Sequence, residues 1–290
     1  MIDKTTSLGF IGTGVMGSSM VSHLLSNGHR VAIYNRTKEK ASPLLAKGAT
    51  WASSPKEIAS NCQVIFTMLG YPEDVKKIYF GSEGLIINSK PNSILTDMTT
   101  SSPTLAKEIY NDCQKHNLHT LDAPVSGGDS GAKNGTLSIM VGGEKLIFET
   151  ALPLFKTFGK TIIYQGLAGA GQHTKLTNQI LIASYMIGVC EALQYAKKNG
   201  LNPQTVLDSV SGGAAASWSL INLGPKMLSG DYEPGFYIHH FIKDMKLALE
   251  ECDKTGLNLN NLKNSLTLFG KLPEEIKKTK GTQAIYELFK

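Results

Sequence analysis

A chain of 290 residues can bury one large core or two smaller ones, so it needs no disulfide framework to be stable. With 41% hydrophobic and 18% charged residues its composition is that of a globular protein, which excludes a disordered chain. The net charge of +5 is spread as single lysines among acids, apart from Lys277, Lys278 and Lys280, which read as a solvated helix face; no nucleic-acid partner is expected.

The N-terminus runs almost at once into the apolar segment Leu8 to Ile11 without a signal-like leader, and no apolar stretch of about 20 residues stands out, so a cytoplasmic protein with no membrane contact is expected. Cys62, Cys113, Cys190 and Cys252 are far apart and share no CxxC spacing. They are expected to be reduced thiols, and no metal site is expected.

In chain order, short β-branched runs alternate with amphipathic segments, the pattern of a doubly wound parallel sheet covered by helices on both faces. Strands are expected at Ser7 to Ile11, Arg30 to Tyr34, Val64 to Met68, Ser93 to Asp97, Thr120 to Asp122, Leu137 to Val141 and Thr161 to Tyr164, with a Gly/Ser-rich turn at Ser126 to Gly135. Past Gly166 the strand runs stop. A long helix is expected from Gln172 to Asn199, closed by Asn199-Gly200, and the rest reads as helical: Asn202-Pro203 is an N-cap followed by proline, Pro234-Gly235 precedes a helix to about Lys254, and Pro273 precedes the last. The expected architecture is therefore an α/β Rossmann domain, residues 1–166, followed by an all-helical domain, residues 167–290, joined by a long helix.

Gly12-Thr13-Gly14-Val15-Met16-Gly17 is a GxGxxG between the first expected strand and the first expected helix. In that place the glycines permit a tight turn, close approach of a pyrophosphate, and close helix–strand packing, while free N–H groups hold the phosphates. The second strand ends in Asn35-Arg36-Thr37, where an NAD-selective site would carry an acid for the ribose 2′-hydroxyl. Asn35 does not repel a 2′-phosphate, Arg36 can pair with one as a planar fork, and Thr37 adds a donor. NADPH/NADP is expected in preference to NAD, although Arg36 taken alone could be an ordinary loop arginine.

Lys175 lies one helical turn from both Asn178 and Gln179, so the three share a face of the long helix. A carbonyl that receives hydride needs a proton donor at its oxygen, and an ammonium in a closed cleft suits that task. Most helix lysines are simply solvated, and spacing does not choose between the two. Asp122-Ala123-Pro124-Val125-Ser126-Gly127-Gly128 follows an expected strand, so it belongs at the carboxyl edge of the sheet; Ser126 with the N–H groups of Gly127 and Gly128 could hold a carboxylate, or the segment could be a glycine-rich hairpin. His116 and His119, spaced toward Asp122, are read as turn residues, and His239-His240 and Trp218 as packing or cleft-wall residues without a decision between the two.

Taken together these motifs resemble the β-hydroxyacid dehydrogenase family, which includes 3-hydroxyisobutyrate dehydrogenase and the semialdehyde reductases. The resemblance is end to end: Phe10 to Gly17 is similar to its cofactor signature, Asp122 to Gly128 with Gly131, Gly135 and Leu137 to its substrate signature, Gly169 to Asn178 to its catalytic signature, and Lys243-Asp244 to its C-terminal motif. It implies Lys175 as general acid/base, and Ser126, Gly127 and Gly128 at a substrate carboxylate. It also implies Met68, Leu69, Pro72 and Thr100 beside the nicotinamide, Lys243 at the cofactor, and a homodimer or homotetramer. The expected activity is the NADPH-linked interconversion of a small semialdehyde or oxo acid with its hydroxy acid. The family commonly has Asn at both the third and fourth positions after the lysine; here they are Asn178 and Gln179, so Gln179 is expected to reach a substrate hydroxyl in a shifted pocket, and which acid is bound stays open. Two other readings are weighed. An imine reductase usually replaces the lysine that this chain keeps, and a catalytically silent dinucleotide-binding module has no need of Lys175.

Overall fold

A computed structural model describes residues 2–290. The chain divides into two compact units, the first ending at Lys175 and the second running from Leu176 to Lys290. The division lies inside the long helix, later than the change of pattern at residue 166.

The first unit is built on a nine-stranded sheet. Its strands are β1 (Leu8–Ile11), β2 (Val31–Tyr34), β3 (Thr50–Trp51), β4 (Val64–Thr67), β5 (Ile94–Asp97), β6 (His119–Asp122), β7 (Val125–Ser126), β8 (Leu137–Gly143) and β9 (Gly159–Gly166). They are ordered β3-β2-β1-β4-β5-β6-β8-β7, with β9 paired to β8. The first six form the parallel Rossmann arrangement, in which the chain leaves β1 toward one edge and then returns to build the other. The expected doubly wound sheet is present, and β8 adds an antiparallel strand to it, running antiparallel to both β6 and β7. The pairs β3 and β7 were not expected as strands, because a two-residue bridge is too short to show a period.

Strand alternation places side chains on two faces, each with its own core. Leu8, Phe10, Val64, Phe66 and Ile94 join one cluster, and Ile11, Ile65 and Leu95 join the other. Helices α1 (Val15–Ser26), α2 (Ser42–Leu45), α3 (Pro55–Asn61), α4 (Pro72–Phe80), α5 (Leu85–Asn88), α6 (Pro103–Lys115), α7 (Gly128–Asn134) and α8 (Lys145–Phe155) connect the strands, with a 3-10 turn at Lys38–Ala41. Helix α7 replaces the expected turn at Ser126 to Gly135. Gly127 enters it at φ 130° and Gly135 closes it in the left-handed region at φ 66°, so glycines that read as a turn are the two ends of a helix.

The helix α9 (Ala170–Lys198) is followed by α10 (Pro203–Val210), α11 (Trp218–Ser229), α12 (Ile238–Thr255), α13 (Asn260–Gly270) and α14 (Glu274–Thr279). A 3-10 segment, Thr282–Phe289, follows the helix that the sequence placed last. Asn202 caps α10 as expected, accepting from the N–H groups of Gln204 and Thr205. The reading that no long apolar segment exists is corrected: α9 is long and apolar enough, by length and composition, to cross a membrane. Its Leu176, Ala183, Met186, Ile187, Cys190 and Leu193 are nonetheless buried with Phe241, Phe269 and Tyr286 in the core of the second unit. That placement accounts for their apolar character as that of a core helix.

Candidate active site

The carboxyl ends of the Rossmann strands lie in one row. Tyr34, Ile11, Thr67, Asp97 and Asp122 are register partners across β2, β1, β4, β5 and β6. Ligands of open α/β sheets bind beyond this edge, near β1, where the strand order reverses.

The glycine loop is built there. A Cβ on Gly12, whose φ is +94°, would stand 2.2 Å from the Met68 carbonyl oxygen, and one on Gly17 would stand 2.0 Å from that of Gly12. These two glycines are therefore required by close packing within the chain, whereas a Cβ on Gly14 would meet nothing within 4 Å. The open side at Gly14 is the N-terminus of α1, which has no side-chain cap. A groove of about 460 Å³ runs along it, lined by Thr13, Gly14, Val15, Ser18, Lys40 and Lys47 among others. Uncapped N–H groups, an open glycine, two flanking ammonium groups and the buried Thr13 hydroxyl, which has no partner, fit a dinucleotide phosphate.

Asn35 stands between this loop and the second strand. Its Oδ1 accepts from the Thr13 N–H at 3.3 Å and its Nδ2 donates to the Thr37 carbonyl at 2.9 Å, so the amide ties the loop to the strand end. Arg36 and Thr37 follow it and are exposed. Met68, Leu69, Pro72 and Thr100 lie just past the ends of β4 and β5 and are partly buried. Beneath them the Thr67 hydroxyl donates to Asp97 at 2.8 Å, and the Leu69 N–H donates to the Thr99 hydroxyl at 2.9 Å. These bonds hold the two loops at the sheet edge.

Asp122 ends β6 and is buried. The N–H groups of Gly169 and Gln172 each donate to one of its oxygens at 2.8 Å, so a carboxylate from the sheet caps the first turn of α9. Burial pushes its pKa up to about 6 against those hydrogen bonds, which pull it down. Gln172 completes the attachment, accepting from the Ser101 N–H and donating to the Thr99 carbonyl, both at 2.8 Å. Gly171 makes it sterically possible: a Cβ there would come within 2.4 Å of the Asp122 carbonyl oxygen. Lys175 stands one turn beyond this pinned start and is only 6% exposed. Ser126 ends β7 and is partly buried, with Gly127 and Gly128 at φ 130° and 64° opening α7.

In the second unit, Gln179 is 1% exposed and both ends of its amide are engaged. Its Oε1 accepts from Asn178 Nδ2 at 2.8 Å and its Nε2 donates to Asp244 Oδ2 at 2.6 Å. Lys243 forms an ion pair with the other oxygen of Asp244 at 2.9 Å. The rings of His239 and His240 are tilted by 45° with centroids 4.1 Å apart, and burial lowers the pKa of His240 to about 4.

Residues 7–166 match the family model described as the NAD binding domain of 6-phosphogluconate dehydrogenase. Residues 169–289 match that described as NAD-binding of NADP-dependent 3-hydroxyisobutyrate dehydrogenase. The chain belongs to the β-hydroxyacid dehydrogenase family. Its relatives include an uncharacterized oxidoreductase of Bacillus subtilis, 55% identical with 98% of each chain covered. Another is the 2-hydroxy-3-oxopropionate reductase of Escherichia coli, 37% identical over 90% of this chain and 89% of that one. Among solved structures, the 3-hydroxyisobutyrate dehydrogenase of Mycobacterium tuberculosis superposes with a TM-score of 0.91 at 29% identity, covering 98% of this chain and 99% of its own. This β-hydroxyacid dehydrogenase is thus an NAD(P)-dependent oxidoreductase that binds a nicotinamide dinucleotide.

Sequence reasoning missed three residues that the structure places at this candidate site: Lys40 in the groove beside α1, and Asp122 and Gln172 at the start of α9. Lys40 lies in the 3-10 turn that follows the Asn35-Arg36-Thr37 strand end. Asp122 and Gln172 were read as motif members without a task. Their pairing joins positions fifty residues apart, and no local period reports such a bond.

Proposed function

We propose that this dehydrogenase interconverts a small semialdehyde or oxo acid with its hydroxy acid, using NADPH/NADP in preference to NAD and Lys175 as general acid/base. The observation that carries the reading is the burial of Lys175 one turn beyond a helix start that Asp122 and Gln172 fasten to the cofactor edge of the sheet. The nicotinamide supplies or accepts the hydride. Lys175 Nζ delivers a proton to the carbonyl oxygen during reduction and takes it from the hydroxyl during oxidation. Ser126 with the N–H groups of Gly127 and Gly128 holds the substrate carboxylate, and Asn178, one turn after Lys175 on the same helix, contacts the substrate. Gly12 to Gly17 receive the pyrophosphate, Arg36, Thr37 and Lys40 the 2′-phosphate, Met68, Leu69, Pro72 and Thr100 the nicotinamide side, and Lys243 the cofactor.

We assign cofactor binding to residues 1–166 and substrate binding and association to residues 167–290. A homodimer or homotetramer is supported by the apolar stripe Leu181, Tyr185 and Tyr195, exposed along one side of α9. A cytoplasmic location is supported by the four cysteines, all buried and unpaired.

The test follows NADPH absorbance with succinic semialdehyde, glyoxylate, methylmalonate semialdehyde and tartronate semialdehyde. At least one is expected to turn over, and Lys175→Ala is expected to lower kcat at least about a hundredfold while the NADPH Kd stays within about threefold. No turnover with any aldehyde would remove the substrate class, and an active Lys175→Ala would remove the mechanism.

A further inference from the structure

Helices α1 and α7 are joined at their last turns. His23 lies in the last turn of α1, and its ring Nε2 stands 3.0 Å from the Ala132 carbonyl oxygen and 3.1 Å from that of Lys133, both in the last turn of α7. Carbonyl oxygens only accept, so Nε2 carries the proton and shares it between the two. Carbonyls of a last turn have no partner within their own helix. In α7 the Thr136 N–H returns to Gly131 at 2.9 Å and the Gly135 N–H to Ala132 at 3.4 Å, while His23 supplies a donor from another helix. The ring is closely seated, since a Cβ on Gly135 would stand 3.2 Å from its Cε1. The backbone that carries it is held as well: the His23 carbonyl accepts from the N–H and Nδ2 of Asn27 at 3.0 and 2.9 Å.

The connections of α7 leave its direction open. Gly127 and Gly128 open it at φ 130° and 64° and Gly135 closes it at φ 66°, so the backbone at both ends is of the kind that turns most freely. The strand before it, β7, pairs with β8 over two residues only. A helix of seven residues, about 10 Å long, moves as one body. Its direction is therefore set by what holds its side, and that is α1: Ala132 is buried in the core that Met20, Val21 and Leu24 share, and His23 holds the last carbonyls. We propose that His23 is a positioning residue, which locks α7 against the cofactor helix α1 and so aims the Ser126–Gly128 segment at the substrate carboxylate. This rests on the reading of that segment as the carboxylate holder. The glycine loop opens α1 and the Ser126–Gly128 segment opens α7, so one hydrogen-bonded contact between their last turns fixes the two ligand-binding segments relative to each other. What His23 governs is the grip on the carboxylate, not the chemistry at the carbonyl.

The test compares aldehydes that differ only in the carboxylate, glyoxylate with acetaldehyde and succinic semialdehyde with butanal, each reduced with NADPH. The ratio of kcat/KM within a pair measures the grip on the carboxylate. His23→Ala is expected to lower that ratio at least about fivefold through the KM of the acid, while kcat for the acid and kcat/KM for the plain aldehyde stay within about twofold. His23→Gln places an amide Nε2 where the ring nitrogen stood, and most of the lost ratio is expected to return. A loss of folded enzyme lowers both members of a pair equally, so the ratio reports positioning and not stability. NADPH fluorescence titration and circular dichroism of each variant show that it is folded and binds cofactor.

An unchanged ratio in His23→Ala, or a His23→Gln enzyme no better than His23→Ala, would overturn the role of His23. The parent and Ser126→Ala separate this from failure of the underlying reading. A parent that reduces the plain aldehyde as well as the acid, or a Ser126→Ala enzyme with the parent's ratio, removes the segment from the carboxylate site and the proposal with it. A ratio that falls in Ser126→Ala and holds in His23→Ala removes His23 alone.

Discussion

On the proposed reading, Arg36 and Lys40 set the cofactor preference by receiving the 2′-phosphate. An exposed cation paired with a phosphate gains from a planar, bidentate fork, so Arg36 should matter more than Lys40. Arg36→Ala is expected to lower the ratio of NADPH to NADH kcat/KM at least about tenfold and Lys40→Ala by roughly threefold, measured with one aldehyde at fixed ionic strength. An unchanged ratio in both would leave the acid-free strand end without a role in selectivity. Asp122 makes a different kind of prediction. Its pKa in the folded chain, about 6, stands above the ordinary 3.8 because burial penalises the charged form. The folded state then holds a proton that the unfolded state has released, and the stability linked to this group is full below pH 3.8 and lost as pH rises through about 6. Asp122→Asn does not titrate, and it turns a donor toward one of the two N–H groups. It is expected to be less stable than the parent by roughly 1–3 kcal/mol. The gap between the two should narrow from pH 4 to pH 7 in urea unfolding; a gap that widens with pH would show that the hydrogen bonds outweigh burial.

At the scale of elements, the start of α9 is the joint on which the proposed chemistry depends. Asp122 caps it, Gln172 fastens it to the loop after β5, and Gly171 lets its backbone approach the end of β6. Because a Cβ at position 171 would meet backbone oxygens of Asp122 and Met140 at 2.4 and 2.5 Å, Gly171→Ala must displace the helix rather than a flexible side chain. It is expected to cost about 1–3 kcal/mol in unfolding free energy and to lower kcat at least about tenfold while the NADPH Kd changes little. A variant of unchanged kcat would show that the first turn of α9 does not place Lys175. The strand and helix periods made most elements legible in the sequence, including the Asn202 cap and the long helix. They did not reveal β3, β7 or α7, since a two-residue strand has no period and a helix opened and closed by glycines carries the composition of a turn.

At the scale of the whole molecule, each unit has its own core, and the exposed Leu181, Tyr185 and Tyr195 are left on one side of α9. If that stripe joins copies of the chain, Leu181→Glu with Tyr185→Glu is expected to give monomers in sedimentation velocity where the parent sediments as a dimer or tetramer; a parent that is itself monomeric would end the proposal. The sequence by itself determined the fold class and the glycine loop, because those depend on local period and backbone freedom. Only the tertiary structure decided what Asp122, Gln172 and Gln179 bond to. A carboxylate that caps a helix about fifty residues away, and an amide that donates to a carboxylate on another helix, are pairings between distant positions. The donor and acceptor roles that distinguish them exist only once burial has removed water as the alternative partner.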